Sequence, residues 1–122
     1  GNTCVVLASE HLPLCAISFS EVIATSDVPN GVVNILTGKI AELNAVFSSH
    51  MNVNALLYCG SDTAVIKAIQ DLAVDNIKRV IIRENSDYVD EKHENLHYIY
   101  DFQETKTTWH PIEQIGGAGS GY

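Results

Sequence analysis

Positive charge is scarce in this chain. Seven Lys and Arg stand against fifteen Asp and Glu among 122 residues, a formal net charge of −8, which excludes a nucleic-acid binder that works by neutralising phosphates. Neither half hides a basic region, since residues 1–60 carry −3 and residues 61–122 carry −5. Long apolar runs are missing too. None nears the roughly 18 residues that a membrane span needs, and nothing at the start reads as a secretory leader, so no membrane partner is expected. Cysteine is sparse and unpatterned: Cys4, Cys15 and Cys59 form no Cys-x-x-Cys unit and leave one over whatever pairs. Neither a disulfide framework nor a zinc knuckle is indicated. Each Cys sits among apolar neighbours, which fits small buried hydrophobes in a reducing cytosol, and a cytoplasmic location is expected.

What is present is ordinary globular composition, 46% hydrophobic and 18% charged, in a length that suits one domain. Residues 4–7 make a short apolar run fit for a buried strand. Pro13 opens a helical segment ending near Ser26, with Leu14, Ile17, Phe19, Val22 and Ile23 at roughly helical spacing. Pro29-Asn30-Gly31 signals a turn, and Val32 to Leu36 reads as a second strand. A shorter helix covers about 41–49, Ala55 to Cys59 is a third strand, and a helix after Ser61 carries Ala64, Val65, Ala68, Ile69 and Leu72 on one face. Val80 to Ile82 is a fourth strand, with Lys78 and Arg79 a solvated edge before it. Apolar strands alternating with amphipathic helices predict an α/β fold, a parallel sheet with helices on both faces. From Glu84 the character changes. A polar loop over 86–95 precedes Leu96 to Tyr100 and a Thr-rich stretch over 104–109, both expected as strands of an extended β tail, and Gly116 to Tyr122 reads as flexible.

Three features invite a chemical reading. Gly60 and Ser61 stand between a strand end and a helix start, where free N–H groups and the helix dipole make an anion site. Taken alone they read first as a plain turn with Ser61 as helix cap, because one Gly is far short of a Gly-rich fingerprint. His93-Glu94-Asn95-Leu96-His97 spells the His-Glu-x-x-His pattern of zinc proteases. That chemistry needs a helix, whereas the segment runs into strand-forming residues that would hold the two imidazoles about 13 Å apart. The match reads as coincidence, and no metal site is expected. Cys15 or Cys59 with His11 or His110 lacks the elbow and oxyanion signals of a nucleophile, so no catalytic residue is assigned. His50 reads as a favourable charge or a packed ring at a helix end.

Read in order, GNTCVVLASE at the start resembles the GNTVVLKPSE of the aldehyde dehydrogenase superfamily. PNGVVNILTG from Pro29 to Gly38 resembles PPGVVNVVTG, Gly60-Ser61 resembles the end of FTGS, and Asn76 to Val80 resembles the NLKRV before the strand that bears the catalytic glutamate. The resemblance covers about two-thirds of the chain and implies a partial Rossmann-like nucleotide-binding region over 1–85. It further implies NAD or NADP as cofactor, with Glu10 at the ribose, Gly38 at the turn after the second strand, and Gly60 and Ser61 near the pyrophosphate. The departures weaken that implication. The family's ribose-contacting Lys falls on Leu7, its later glycines on Ile40 and Asn44, its general-base Glu on Arg83 with Glu84 one place late, and its Gly-Gly near Ser86-Asp87. Nothing resembles the segment with the nucleophilic cysteine. Cofactor binding is therefore expected to be weak or absent.

Gln103 to Trp109 resembles the family's C-terminal oligomerisation strand, which makes 96–122 an oligomerisation tail. Through it the chain is expected to pair with its own copies or with a full-length aldehyde dehydrogenase subunit. The whole is similar to the truncated, catalytically silent second half of a tandem member. The implied function is a module that is non-catalytic on its own, with a structural, oligomerisation or regulatory role. The alternative is a fragment of an NAD(P)-dependent aldehyde oxidoreductase that binds cofactor while another segment or chain supplies the cysteine.

Overall fold

The computed structural model describes residues 1–84 and 89–109; Ser86, Asp87, His110, Pro111 and the stretch 116–122 lie outside the described residues. The chain divides into two compact units, Gly1–Tyr88 and Val89–Tyr122. In the first unit strands and helices alternate as β1 (Cys4–Leu7), α1 (Leu14–Ala24), β2 (Val33–Leu36), α2 (Ile40–Ser49), β3 (Ala55–Cys59), α3 (Thr63–Ala73) and β4 (Arg79–Arg83). Short β-branched and aliphatic runs make the strands, and each crossover is a helix, as parallel pairing requires.

The single sheet expected from sequence is instead two parallel pairs. β1 pairs with β2, Cys4 opposite Val33 through Leu7 opposite Leu36. β3 pairs with β4, Ala55 opposite Arg79 through Cys59 opposite Arg83. Among the described residues the two pairs are not joined to each other by strand pairing, so each keeps open edges.

Openness explains a second departure. Cys4, Cys15 and Cys59, expected in the core, are all exposed free thiols. In β1 both Val5 (51%) and Val6 (42%) are open to solvent, and α1 buries none of its residues. The apolar core of the described residues comes down to Ala8, Ile69 and Ala73. Ser48, also fully buried, donates its Oγ hydrogen to Asn44 Oδ1 at 3.0 Å.

Local chemistry sets the connections. Gly31 takes a φ of +83° in the Pro29–Val32 turn, closed by Val32 N–H donating to the Pro29 carbonyl at 3.2 Å. Glycine alone adopts that conformation without steric penalty. Asn34 then donates from Nδ2 to the carbonyls of Gly31 (2.8 Å) and Cys4 (3.2 Å), tying the turn to β1. The exit from α3 is a Schellman closure. Ile77 N–H reaches the Val74 carbonyl, and Lys78 N–H reaches the Ala73 carbonyl. The residue held left-handed there is Ile77, with φ 54°, where glycine is usual.

Lys78 is not the solvated edge that its sequence neighbourhood suggested. It is only 8% exposed, and its ammonium donates to the carbonyls of Phe47 (2.8 Å) and His50 (3.0 Å) at the end of α2. Burial holds its pKa below the usual lysine value. A cation at the carbonyl end of a helix also meets the negative end of the helix dipole. His50 itself is the C-cap of α2, and its Nδ1 accepts from Asn52 N–H at 3.1 Å.

In the second unit a single 3₁₀ turn, Glu91–His93, starts on Asp90, whose carboxylate accepts from Lys92 N–H and pairs with Lys92 Nζ at 2.7 Å. The hydrogen bond from the Lys92 side chain, with help from its backbone N–H, holds the Asp90 pKa below the usual aspartate value. The strand expected over Leu96 to Tyr100 is a helical turn, α4 (His97–Tyr100). Asn95 is the cause: its Oδ1 accepts from His97 N–H at 2.9 Å and its carbonyl from Tyr98 N–H, which starts a helix against the β preference of the aromatics. Residues 103–109 carry no strand, although a strand was expected over 104–109.

Ile77 supplies a test. A β-branched residue in the left-handed region is strained by about 1–2 kcal/mol, and Ile77 is 95% exposed, so removing its side chain forfeits no burial. Ile77→Gly, after the greater chain entropy of glycine is offset, is expected to stabilise the fold by about 0.5–1 kcal/mol. Urea unfolding of the variant beside its parent reads this directly.

Candidate functional site

The four residues expected at a cofactor all fall at the carboxyl ends of strands, where doubly wound sheets bind ligands. Glu10 follows β1, Gly38 follows β2, and Gly60 with Ser61 follows β3. The structure brings the first two together. Glu10 Oε2 accepts from the N–H of Ile40, the first residue of α2, at 3.3 Å, so its carboxylate sits at that helix N-terminus just past Gly38. At Gly38 itself a Cβ would lie 2.9 Å from Leu43 Cδ1 and 4.0 Å from Leu7 Cδ1. The space that glycine opens is filled by the chain's own leucines. One of them, Leu7, occupies the position where the resemblance implied a lysine.

The second place is the start of α3. Ser61 was expected to cap that helix, but the cap is Asp62: its Oδ1 accepts from the N–H groups of Ala64 (2.9 Å) and Val65 (3.3 Å). A carboxylate suits this end of the helix on two counts, as a hydrogen-bond acceptor and as a negative charge against the dipole. The N–H of Gly60 is also engaged, donating to the Arg83 carbonyl at 3.1 Å. A Cβ on Gly60 would lie 2.6 Å from the Tyr58 hydroxyl oxygen. Residues two apart on a strand share a face, and the Tyr58 ring lies along that face onto Gly60. Asp62 and Tyr58 were the functional residues that sequence reasoning missed. The N-cap preference for Asp immediately before the helical run was the available signal for the first.

Arg83 ends β4, opposite Cys59, and Glu84 beside it is exposed. The position that the resemblance gave to a general base thus holds a cation. His93 and His97 do not share a helix, since α4 begins at His97. His93 Nδ1 lies 2.6 Å from the Tyr98 hydroxyl with the two rings stacked, and His97 packs tilted against Tyr100. Among the described residues no group of three or more His, Cys, Asp and Glu is placed to hold a metal ion.

Comparison with known proteins bears on what this site descends from. The sequence model of the aldehyde dehydrogenase family matches residues 1–85. This chain belongs to the aldehyde dehydrogenase family. It is 41% identical over 83 residues to "Aldehyde dehydrogenase, cytosolic 1" of Elephantulus edwardii, a match that covers 67% of this chain and 16% of that relative. Aldehyde dehydrogenase 1A1 of Mus musculus matches to the same extent, 41% over 83 residues. Among solved structures, the aldehyde dehydrogenase of Bartonella henselae superposes with a TM-score of 0.61 at 32% identity, covering 66% of this chain and 17% of its own. An E. coli enzyme described as NADP-dependent gives 0.63 at 25% identity, over 69% of this chain and 17% of its own. The chain therefore spans about a sixth of the length of the relatives it matches, and the likeness lies in the first unit. No helix of the described residues is long and apolar enough to cross a membrane.

Within this family fragment the cofactor residues fit a dinucleotide poorly. The Ile40 N–H serves Glu10, the N–H groups of Ala64 and Val65 serve Asp62, and side chains of this chain stand against both glycines. The capping assignment is directly testable. Asp62→Ala is expected to lower stability by about 1 kcal/mol, within the usual 0.5–2 for a lost N-cap, whereas Ser61→Ala leaves it unchanged. Equilibrium denaturation of the two variants side by side separates the roles.

Proposed function

We propose that this aldehyde dehydrogenase-like chain is a non-catalytic structural module, built to be covered by further protein, its own copies or a full-length aldehyde dehydrogenase subunit. The observation that carries this reading is the open apolar surface. Leu14, Phe19 and Val22 on α1, with Val5 and Val6 on β1, face solvent in a fold whose parallel pairs ordinarily lie under helices on both faces. Exposed apolar side chains in such numbers suit a protein interface. Strain held at Ile77, almost wholly exposed, points the same way. Residues 103–109 lie exposed with Trp109 at 91%, and a segment with no helix or strand of its own that ends in a large aromatic suits strand addition to a partner. A cytoplasmic setting is part of the reading, supported by the name of the cytosolic relative.

The non-catalytic part rests on Arg83 at the general-base position and on the absence from this chain of any stretch resembling the nucleophile segment. Removing both base and nucleophile removes the chemistry. Purified chain is expected to show no NAD- or NADP-dependent oxidation of acetaldehyde or a longer aldehyde in a spectrophotometric assay; measurable turnover would refute the reading. In light scattering the full chain is expected to run as an oligomer, and removal of residues 103–122 to yield a smaller species with an unchanged circular dichroism spectrum. A parent that is monomeric at high concentration counts against the module.

A further inference from the structure

The anion-binding end of α3 is already taken. A helix start following a parallel strand is where a dinucleotide places its pyrophosphate, because unpaired N–H groups and the dipole both favour negative charge there. In this chain those groups already face an anion. Asp62 Oδ1 receives the N–H groups of Ala64 and Val65, the Gly60 N–H is committed to the Arg83 carbonyl, and the Tyr58 hydroxyl covers the glycine where a phosphate would need close backbone approach. We infer that Asp62 is a built-in occupant of this anion site and that, with Tyr58 over Gly60, it makes the domain exclude pyrophosphate-bearing ligands.

The same device is repeated at α2, where Glu10 holds the Ile40 N–H. The two ends differ in charge. Lys39 is the N-cap residue of α2 and makes no side-chain capping bond, so a basic residue stands at the position that Asp62 holds in α3. At α3 the first turn, Thr63-Ala64-Val65, brings no positive side chain, and the Asp62 charge stands at the helix start with none beside it in sequence. An incoming phosphate there would have to displace a carboxylate that is tethered one residue before the helix, and would meet it again as a like charge at close range. The tether gives the carboxylate an advantage that no free ligand at ordinary concentration shares. Asp62 is thus a specificity residue by exclusion: one side chain both caps the helix and rejects the ligand class that related chains take.

This goes beyond the structural-module reading, which would survive its failure, since an oligomeric chain that binds NAD would overturn only the exclusion. Asp62→Ser and Asp62→Asn provide the test, because both residues keep an N-cap acceptor and lose the charge. Titration calorimetry with NAD, and separately with inorganic pyrophosphate, is expected to show no saturable binding to the full parent chain up to millimolar ligand. Each variant, confirmed as folded by its thermal melt, is expected to gain at least tenfold in apparent affinity for pyrophosphate. Micromolar NAD binding by the parent would overturn the inference. So would two folded variants that bind pyrophosphate no more tightly than the parent does.

Discussion

The first unit depends on one buried ammonium. Lys78 stands just before β4 and donates to two carbonyls at the end of α2, so it joins the helix that leaves the first strand pair to the last strand of the second. Asn76 reinforces it by donating to the same His50 carbonyl, and Arg79 N–H binds the Asn54 carbonyl next to it. With so few apolar side chains buried, this polar joint does what a core does elsewhere. It satisfies helix-end carbonyls that would otherwise be orphaned, and it does so at the cost of desolvating a cation, which the lowered lysine pKa registers.

Elements defined by apolar rhythm were legible in the sequence. All four strands and all three long helices of the first unit stand within a residue or two of where the apolar runs and turn signals put them. The strand near Leu96 was not, because aromatic β preference is weaker than a capping Asn95 placed one residue upstream. The burial of the cysteines was misread for a different reason. An apolar run shows that a strand can be buried on both faces, but whether anything covers those faces is not a property of the run. Lys78 failed the same way in reverse: its charge marked it for solvent, and only the approach of the α2 carbonyls, some thirty positions earlier, explains its burial.

The candidate site shows why a resemblance in motif fell short of a resemblance in chemistry. Glu10, Gly38, Gly60 and Ser61 all follow the carboxyl ends of strands. Each has a neighbour from this chain beside it. Leu7 and Leu43 fill the space at Gly38, Tyr58 that at Gly60, and Asp62 takes the cap from Ser61. A helix start offers only a few free N–H groups. When a side chain of the same chain claims them, the helix is better capped and fewer are left for a ligand. The glycines at this place open the room that Tyr58 and Leu43 use.

The composition concealed the most consequential property of the chain. Hydrophobic residues at 46% are enough for an ordinary core, yet the described residues bury only Ala8, Ile69 and Ala73 among them. Exposed large apolar side chains are spread over the described residues, and four of them, Leu14, Ile17, Phe19 and Val22, lie on α1 and two, Val5 and Val6, on β1. Full burial of a side chain such as Leu14, Phe19 or Val22 contributes about 1.5–3 kcal/mol, and net stabilities of whole domains are only about 5–15 kcal/mol. Covering the α1 and β1 faces would therefore add stabilisation comparable with everything that holds the uncovered unit together. A chain with that balance gains more from a protein partner than from any small ligand at its strand ends. The exposed apolar side chains of α1 and β1 and the helix-start N–H groups held by Glu10 and Asp62 thus have one thing in common: what is not buried against this chain is open to polypeptide, and what is hydrogen-bonded is bonded within it.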